Sequence, residues 1–563
     1  MRLVGPPLQP PRVRTLNRAL WGASRTSRGL YLVDARGTSD RFLPYAELHD
    51  EARTVAGALK TLGVQRGDRV AVSLPTGHEF VVAFFGTLLA GAVPVPVSPP
   101  ATFGKVAERL RSIGTMLNAV SACLLVTQPS LLQPLTQAAA GAPSCRRCVT
   151  VGELLTSAEQ AELDVDPASL AVIQFSSGST SDPKPVALSH SNLVSQVAAI
   201  EQLTGPGGFG VSWLPMYHDM GLIGCLLSAI YQSAPLALMA PETFLTRPVT
   251  WLRAITRHRA TISPAPNFAF RQCLMRVRDA DLEGLDLSSW RFALNGAESV
   301  SASLLEQFSA RFGAVGFDAR SLHPAYGLAE SSLAVTTTIG HAVHVLRVDA
   351  PTLGGCGRVE PPRGPVREIV SVGPPVPGAE VEVRCPEGQV LDEDRVGRIF
   401  TRSPSVMTGY FHNPGATAAA LHDGWLDTGD LGFIHGGQLY ISGRAKDIII
   451  IRGANHSPQE FEDCLSEVAG LRSGFAAVAA GFVPSGSNDE ELLVLAERGV
   501  DAPADLPLRI VSAILDRTGI KPHTVALVER GELPRTTSGK LRRAEAVRRY
   551  LSGDLRPVVA RAA

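Results

Sequence analysis

Between about residues 30 and 440 the chain alternates helical patterns with short apolar runs. RVAVSLP (69–75), AVPVPV (92–97), ACLLVTQ (122–128) and LAVIQFS (170–176) read as buried strands. LHDEARTVAGALKTLG (48–63) reads as an amphipathic helix. Alternation of this kind predicts parallel sheets covered by helices. One uncharged run, FVVAFFGTLLAGAVPVPV (80–97), has about the length of a membrane span. Pro94 and Pro96 would break a helix near its end. A buried helix to Ala90, a turn at Gly91 and a strand from Ala92 fit better, so no membrane span is expected.

Near residue 372 the pattern changes. VPGAEVEVRCPEGQVL (376–391) and GQLYISGR (437–444) look like hairpin strands with Gly and Pro turns. RAKDIIIIRGANHSPQEFEDCLSEVAG (444–470) reads as a strand followed by a helix, with Pro458 just inside it and Ser457 as N-cap. The remainder reads as a compact α+β unit, which places a hinge at 443–446. No fixed-period repeat and no low-complexity block is visible.

Composition narrows the class. Hydrophobic residues make up 45% and charged residues 19%, which describes a globular chain with a large core. Lys plus Arg equals Asp plus Glu at 53 each, and zero net charge argues against nucleic acid as a partner. Of eight cysteines only Cys145 and Cys148 have CxxC spacing, with no second pair or nearby histidines. They read as reduced thiols of a cytoplasmic protein. The start, MRLVGPPLQPPRVR, is proline-rich and basic without an apolar segment, so no signal peptide is expected.

Five stretches carry candidate chemistry. FSSGSTSDPKPVALSH (175–190) surrounds Gly178 with small hydroxylated residues and then presents Lys184. Backbone N–H groups in such a turn form an anion-binding concavity, and the lysine adds a point charge. It is not the GxxxxGK[ST] loop. NGAE (295–298) and YGLAE (326–330) each set a glycine turn beside polar groups. Tyr326 suits an adenine face, and Glu330 is a hard oxygen ligand suited to Mg²⁺ on phosphates. DGWLDTGD (423–430) ends in an acid able to accept from two ribose hydroxyls, and LPRTTSGKLRR (533–543) puts Lys540 on a glycine-containing turn. Each alone also fits a surface turn, a surface acid or a solvated helix start. Their order along one chain makes them a set.

That set resembles the adenylate-forming superfamily of acyl-CoA synthetases, luciferases and peptide-synthetase adenylation domains, from about residue 40 to 550. SSGSTSDPK, YGLAE, WLDTGD, GRAKDIIIIRGANHSPQEFE and PRTTSGK carry the resemblance. SWLPMYHDMGLIG (212–224), APNFAF (265–270) and LDLSSWRFALNGAE (285–298) are most similar to the fatty acyl-AMP ligase branch. Glu330 and Gly373 stand 43 positions apart, more than acyl-CoA synthetases lead one to expect. The extra segment, about 340–370, corresponds to the ligases' insertion, thought to restrain the C-terminal domain and disfavour CoA. A tolerated surface loop is the alternative.

The resemblance implies an α/β fold. A large N-terminal domain (1–442) would hold two helix-covered sheets and a β-barrel-like subdomain (about 370–442). The hinge (443–446) would contain Lys446. A small mobile α+β C-terminal domain (447–563) would carry Lys540. The implied reaction activates a fatty acid with ATP and Mg²⁺. Ser176, Ser177, Gly178, Ser179, Thr180 and Lys184 would hold the β- and γ-phosphates, and Glu330 would ligate the metal. Asn295, Gly296, Ala297 and Glu298, with Tyr326, Gly327 and Leu328, would line adenine. Asp430 and Arg444 would bind ribose. Lys540 would bridge the carboxylate and the α-phosphate. His218, Asp219, Met220 and Gly221 would flank the acyl tunnel.

Only 23 residues follow Lys540, so the acceptor is expected to be an acyl carrier protein in trans. The basic tail, with Arg542, Arg543, Arg548 and Arg549, could dock an acidic carrier. It could equally be a solvated helix with Leu541, Ala544, Val547 and Leu551 inward. Three departures stand out: Ser181 and Pro185 where the family loop has glycine, expected to weaken it, and Arg398 where an acid is common. The rival readings are an acyl-CoA synthetase and a nucleotide- or acyl-binding protein that has lost turnover.

Overall fold

The apolar runs become strands separated by helices. β1 (Arg69–Ser73), α1 (His78–Leu89), β2 (Val93–Pro96), α2 (Val106–Ala119), β3 (Leu124–Thr127), α3 (Pro129–Ala139) and β4 (Arg147–Thr150) follow in that order. The computed structural model describes the chain except for residues 101–105, 177–182, 452–453, 466–467, 472–476, 485–489, 536–540 and 563, and describes the backbone alone at 560–562. The four strands form a parallel sheet in the order β2-β1-β3-β4. Connections from β1 and from β3 leave in opposite directions. The loops after those two strands therefore flank a crevice at the carboxyl edge of the sheet, the usual place for ligands in such sheets. The uncharged run splits as expected, with Gly91 at φ +74° between α1 and β2. Among the described residues no helix is long and apolar enough to cross a membrane.

LAVIQFS departs from the parallel pattern. β5 (Leu170–Phe175) pairs antiparallel with β6 (Pro185–Ser189), Phe175 opposite Pro185. Residues 176–184 are all that separate them, too few for a parallel crossover, which takes about a dozen residues or more. Pro185 is therefore the first residue of a strand, where its missing N–H is tolerated, and its carbonyl accepts from Phe411 N–H at 2.8 Å. Pro185 thus stands after residues 176–184 and withdraws no N–H from that stretch. Ser181 lies outside the described residues.

A second sheet gathers Arg2–Val4, Glu380–Arg384, Gly397–Arg402, β7 (Trp425–His435) and β8 (Gln438–Arg444). The turn between β7 and β8 needs positive φ at both Gly436 and Gly437, which only glycine takes freely. The register sets Asp430 opposite Arg444. The extra segment forms an antiparallel hairpin, Val345–Asp349 with Val366–Val370, enclosing a helix at Ala350–Cys356. Beyond residue 448 two hydrophobic clusters contain no residue from earlier in the chain. They are built on a four-stranded sheet (Ala477–Phe482, Glu491–Glu497, Thr524–Val528, Val559–Ala562) with α4 (Pro458–Cys464), the helix Leu506–Thr518 and α5 (Arg543–Leu551).

Ser457 occupies the N-cap of α4, but its hydroxyl makes no capping bond. It accepts instead from Arg367 Nη2 at 2.9 Å, and the same nitrogen donates to the Ser442 carbonyl at 2.6 Å. One guanidinium thus ties the hairpin to β8 and to α4. Gly354 in the hairpin's helix is close enough to Ala454–His456 that a Cβ would lie 2.8 Å from the Asn455 carbonyl oxygen.

The basic tail is not a free docking patch. Arg543 donates two 2.7 Å bonds to Glu462 and lies 3.6 Å from Asp447. Arg548 is bound to Glu545, and Arg549 reaches Glu545 and Glu108 of α2. The inward face of α5 is Ala546 and Arg549, while Leu551 is 61% exposed. Of the expected apolar stripe Leu541 and Val547 pack against the core beneath, Ala544 and Leu551 face outward, and ion pairs complete the seating.

Removing one partner of a buried ion pair strands the other. Arg543→Ala is expected to destabilise the C-terminal unit by about 3–5 kcal/mol in urea denaturation. A loss below about 1 kcal/mol would show the cluster to be screened like a surface pair.

Candidate functional site

The sheets meet around a cleft of about 1890 Å³. Single-ligand pockets run to about 300–1,000 Å³, so this one has room for two reactants. Its lining includes Pro75 and Thr76 after β1, Gln128 after β3, Ser130 in the first turn of α3, and Ser176 with Lys184 at the neck of the β5–β6 hairpin.

The neck is closed by two hydrogen bonds. Ser176 N–H donates to the Lys184 carbonyl at 2.9 Å, and Lys184 N–H donates to Ser176 Oγ at 3.1 Å. Ser177, Gly178, Ser179, Thr180 and Lys540 lie outside the described residues. The Lys184 ammonium sits 4.6 Å from the centroid of the Tyr410 ring, a cation–π contact. Tyr410 in turn donates its hydroxyl to Glu330 Oε1 at 2.9 Å. Burial raises the Glu330 carboxyl above its ordinary pKa, and the Tyr410 bond opposes that rise. Tyr410 escaped sequence reasoning. Its only local signal is the turn sequence GYFHNP, and its role depends on partners 80 and more positions away.

Asp430, Arg444 and Tyr326 converge. Tyr326 donates its hydroxyl to Asp430 Oδ2 at 2.7 Å, and Arg444 Nε lies 3.3 Å from Asp430 Oδ1. Burial, then the neighbouring Asp430 charge, pushes the Tyr326 phenol well up, so it remains a donor. Gly327, Leu328 and Lys446 also line the cleft. Gly296, Ala297 and Glu298 line it too, with Ala297 at φ +67°, a conformation costing a non-glycine residue about 1–2 kcal/mol. Asn295 is corrected: it is fully buried beneath the lining and donates to Asn267 Oδ1 at 2.8 Å. An amide at that depth turns to the nearest polar partner.

His218, Asp219 and Met220 line the cleft, and Gly221 stands behind them, where a Cβ would lie 2.4 Å from the Pro215 carbonyl oxygen. The Met220 N–H is shared by His218 Nδ1 and Asp219 Oδ1, which starts a short helix. A π-helical turn, Leu222–Leu227, follows; such turns are enriched at functional sites. Past Gly224 a further cavity of about 50 Å³ shares Ile200, Thr204, Gly224, Ile262 and Pro264 with the cleft. Arg398, unexpected at its position, is neutralised by a bidentate pair with Asp427 at 2.7 and 3.2 Å.

Comparison with known proteins agrees with this geometry. The family model for AMP-binding enzymes matches residues 22–411. The chain is 37% identical to a candidate acyl-CoA synthetase of Caulobacter vibrioides, over 96% of each chain. It is 34% identical to a medium-chain-fatty-acid–[acyl-carrier-protein] ligase of Moorena producens, over 91% of this chain and 90% of that one. A solved structure from a study of fatty acyl-adenylate ligases of E. coli and L. pneumophila superposes with a TM-score of 0.90 at 34% identity, covering 97% of this chain and 100% of the other.

With its folded-state pKa raised, Glu330 favours the fold at acid pH, and that contribution fades as pH climbs through the raised value. Tyr410→Phe removes a bond to the ionised form, so the carboxyl is expected to titrate higher still. Infrared difference spectra against Glu330→Gln would read the shift; an unmoved titration would reject the coupling.

Proposed function

This chain belongs to the AMP-binding enzyme family, and we propose that within it the protein works as a standalone fatty acyl-AMP ligase. It joins a fatty acid to ATP, releases pyrophosphate and passes the acyl group to an acyl carrier protein. One observation carries this reading. A single cleft joins a clamped phosphate-type neck, an acid held between a tyrosine and an arginine, and a wall at His218–Met220 and Gly224, past which a small cavity of about 50 Å³ adjoins it.

The chemistry asks for nothing more. A fatty carboxylate of pKa ~4–5 is ionised at neutral pH. It can attack the α-phosphorus without a general base, provided the protein holds two anions in line and stabilises the transferring group. Ser176 to Thr180 and Lys184 grip the distal phosphates. Gly296 to Glu298 and Tyr326 to Leu328 flank the nucleobase. Asp430, oriented by Tyr326 and Arg444, takes the ribose hydroxyls. His218 to Met220 mark the mouth of the acyl branch, and Lys540 bridges the carboxylate and α-phosphate from the C-terminal unit, which turns about 443–446 with Lys446 in the hinge. Magnesium fits this donor set. Glu330 offers one hard oxygen, linked through Tyr410 to Lys184 at the hairpin neck, and Mg²⁺ typically takes one or two carboxylates with the rest from phosphates and water. Bound there, it would neutralise charge on the triphosphate. The described cysteines are all free thiols, which suits the cytoplasm.

The second reading, an acyl-CoA synthetase, rests on the Caulobacter relative. The hairpin at 345–370 weighs against it, because Arg367 fastens it to both Ser442 and Ser457. A C-terminal unit held this way is restrained from the rearrangement that CoA use requires in related enzymes. Loss of turnover loses support with Pro185 outside the loop.

Mass spectrometry of reactions with ATP, Mg²⁺ and C4 to C18 fatty acids, with and without CoA, tests the proposal. Acyl-AMP without acyl-CoA is the expected product; acyl-CoA would overturn the filter role of the hairpin. Lys540→Ala is expected to slow pyrophosphate release by about 10²–10³-fold, as for loss of one donor to a transition-state charge, with an unchanged melting temperature. Wild-type release would reject the lysine assignment.

A further inference from the structure

The roles above leave one motif of the chain unused, the CxxC of Cys145 and Cys148. It closes a β3–α3–β4 unit. Cys145 stands in the turn after α3, with its N–H donating to the Ala142 carbonyl at 2.9 Å, and Cys148 stands on β4 opposite Leu125 of β3. Both side chains pack against the same apolar cluster, which holds Leu135 and Ala139 of α3, whereas Cys123 belongs to a different one. Both are half-buried, and neither lines the cleft.

The two sulfurs are in contact. The Cys145 thiol donates to the Cys148 sulfur and also reaches the Arg147 carbonyl at 3.9 Å. That hydrogen bond, more than any other neighbour, holds Cys148 below the ordinary thiol pKa and lifts Cys145 above it. The Thr136 hydroxyl of α3, within hydrogen-bonding reach, favours the Cys148 thiolate further. Cys123, Cys225, Cys273 and Cys464 show the opposite: burial pushes their thiols up. A thiolate, not a thiol, attacks a disulfide, and one that titrates near ambient pH attacks best. A second thiol must then lie close enough to close the bond. Here the attacking sulfur and its resolving partner already touch, at a βαβ unit where a CxxC suits reversible redox chemistry.

We propose that Cys145 and Cys148 form a thiol–disulfide exchange site whose oxidant is a low-molecular-weight disulfide. The Cys148 thiolate attacks one sulfur of that disulfide and expels one thiolate. Cys145 then attacks the Cys148 sulfur of the mixed disulfide and expels the second. The Cys145–Cys148 bond forms, the small disulfide is reduced to two thiols, and these carry off the two thiol protons. The site stands apart from the cleft and does not depend on the ligase reading.

Full-length protein incubated with excess oxidised glutathione, then alkylated, digested and mapped by mass spectrometry, tests this, with the exposed Cys356 as internal comparison. Wild type is expected to yield a Cys145–Cys148 disulfide that excess reduced glutathione reverses. Cys145→Ser is expected to stop at the mixed disulfide on Cys148. Cys148→Ser is expected to react at Cys145 about tenfold or more slowly than Cys145→Ser reacts at Cys148. Melting temperatures before oxidation confirm that both variants fold. A wild type in which Cys356 is modified while the pair stays as thiols overturns the site. So does a wild type that carries mixed disulfides on the pair without joining them, or equal reactivity of the two variants.

Discussion

The antiparallel pairing of β7 with β8 sets where the charges of the cleft can stand. It places Asp430 opposite Arg444, lines Asp430 up with the Tyr326 hydroxyl, and delivers the chain from Arg444 straight into the stretch that leads to the C-terminal unit. Slipping that register by one residue would turn the whole set to the opposite face of the sheet. The glycine pair at the turn and the partner strand Gly397–Arg402 on the other side of β7 hold it against such a slip. The ion pair, the tyrosine bond and the entry to the hinge all hang on one ladder of backbone hydrogen bonds.

The cleft repeats one electrostatic device. Two of the acids that line it are each held by a phenol: Asp430 by Tyr326 and Glu330 by Tyr410. Burial raises both phenols, so they stay protonated and donate. At Glu330 the hydroxyl donor orients the carboxylate without cancelling its charge, whereas Asp430 also carries an ion pair with Arg444. Glu330 therefore stays available to a metal. Lys184 rests on the Tyr410 ring and not on Glu330 itself.

Features encoded by spacing were legible in the sequence. The period of the apolar runs gave α1, β1, β2 and β3, and the split of the uncharged run at Gly91 followed from two prolines. The residues that gather in the cleft were legible as motifs. What escaped depends on partners distant in sequence. The antiparallel turn of β5 onto β6 follows from loop length, which the strand-like run itself does not carry. Ser457 was recognisable as a helix start, but not as the acceptor for Arg367 ninety positions earlier. Asn295 sat in a cleft-lining motif yet turned inward, because Asn267 waited on the buried side. The arginines of α5 looked like a solvated basic face until Glu462 and Glu108, from two other elements, came to meet them.

The two bonds between Ser176 and Lys184 carry a consequence for how such a protein changes over generations. They close the ladder of β5 and β6 below residues 177–182, so strand pairing does not depend on which side chains stand in that stretch. Substitution there can alter grip on a ligand while leaving the fold's free energy almost untouched. The neck acts as insulation between two kinds of selection, one on stability and one on chemistry.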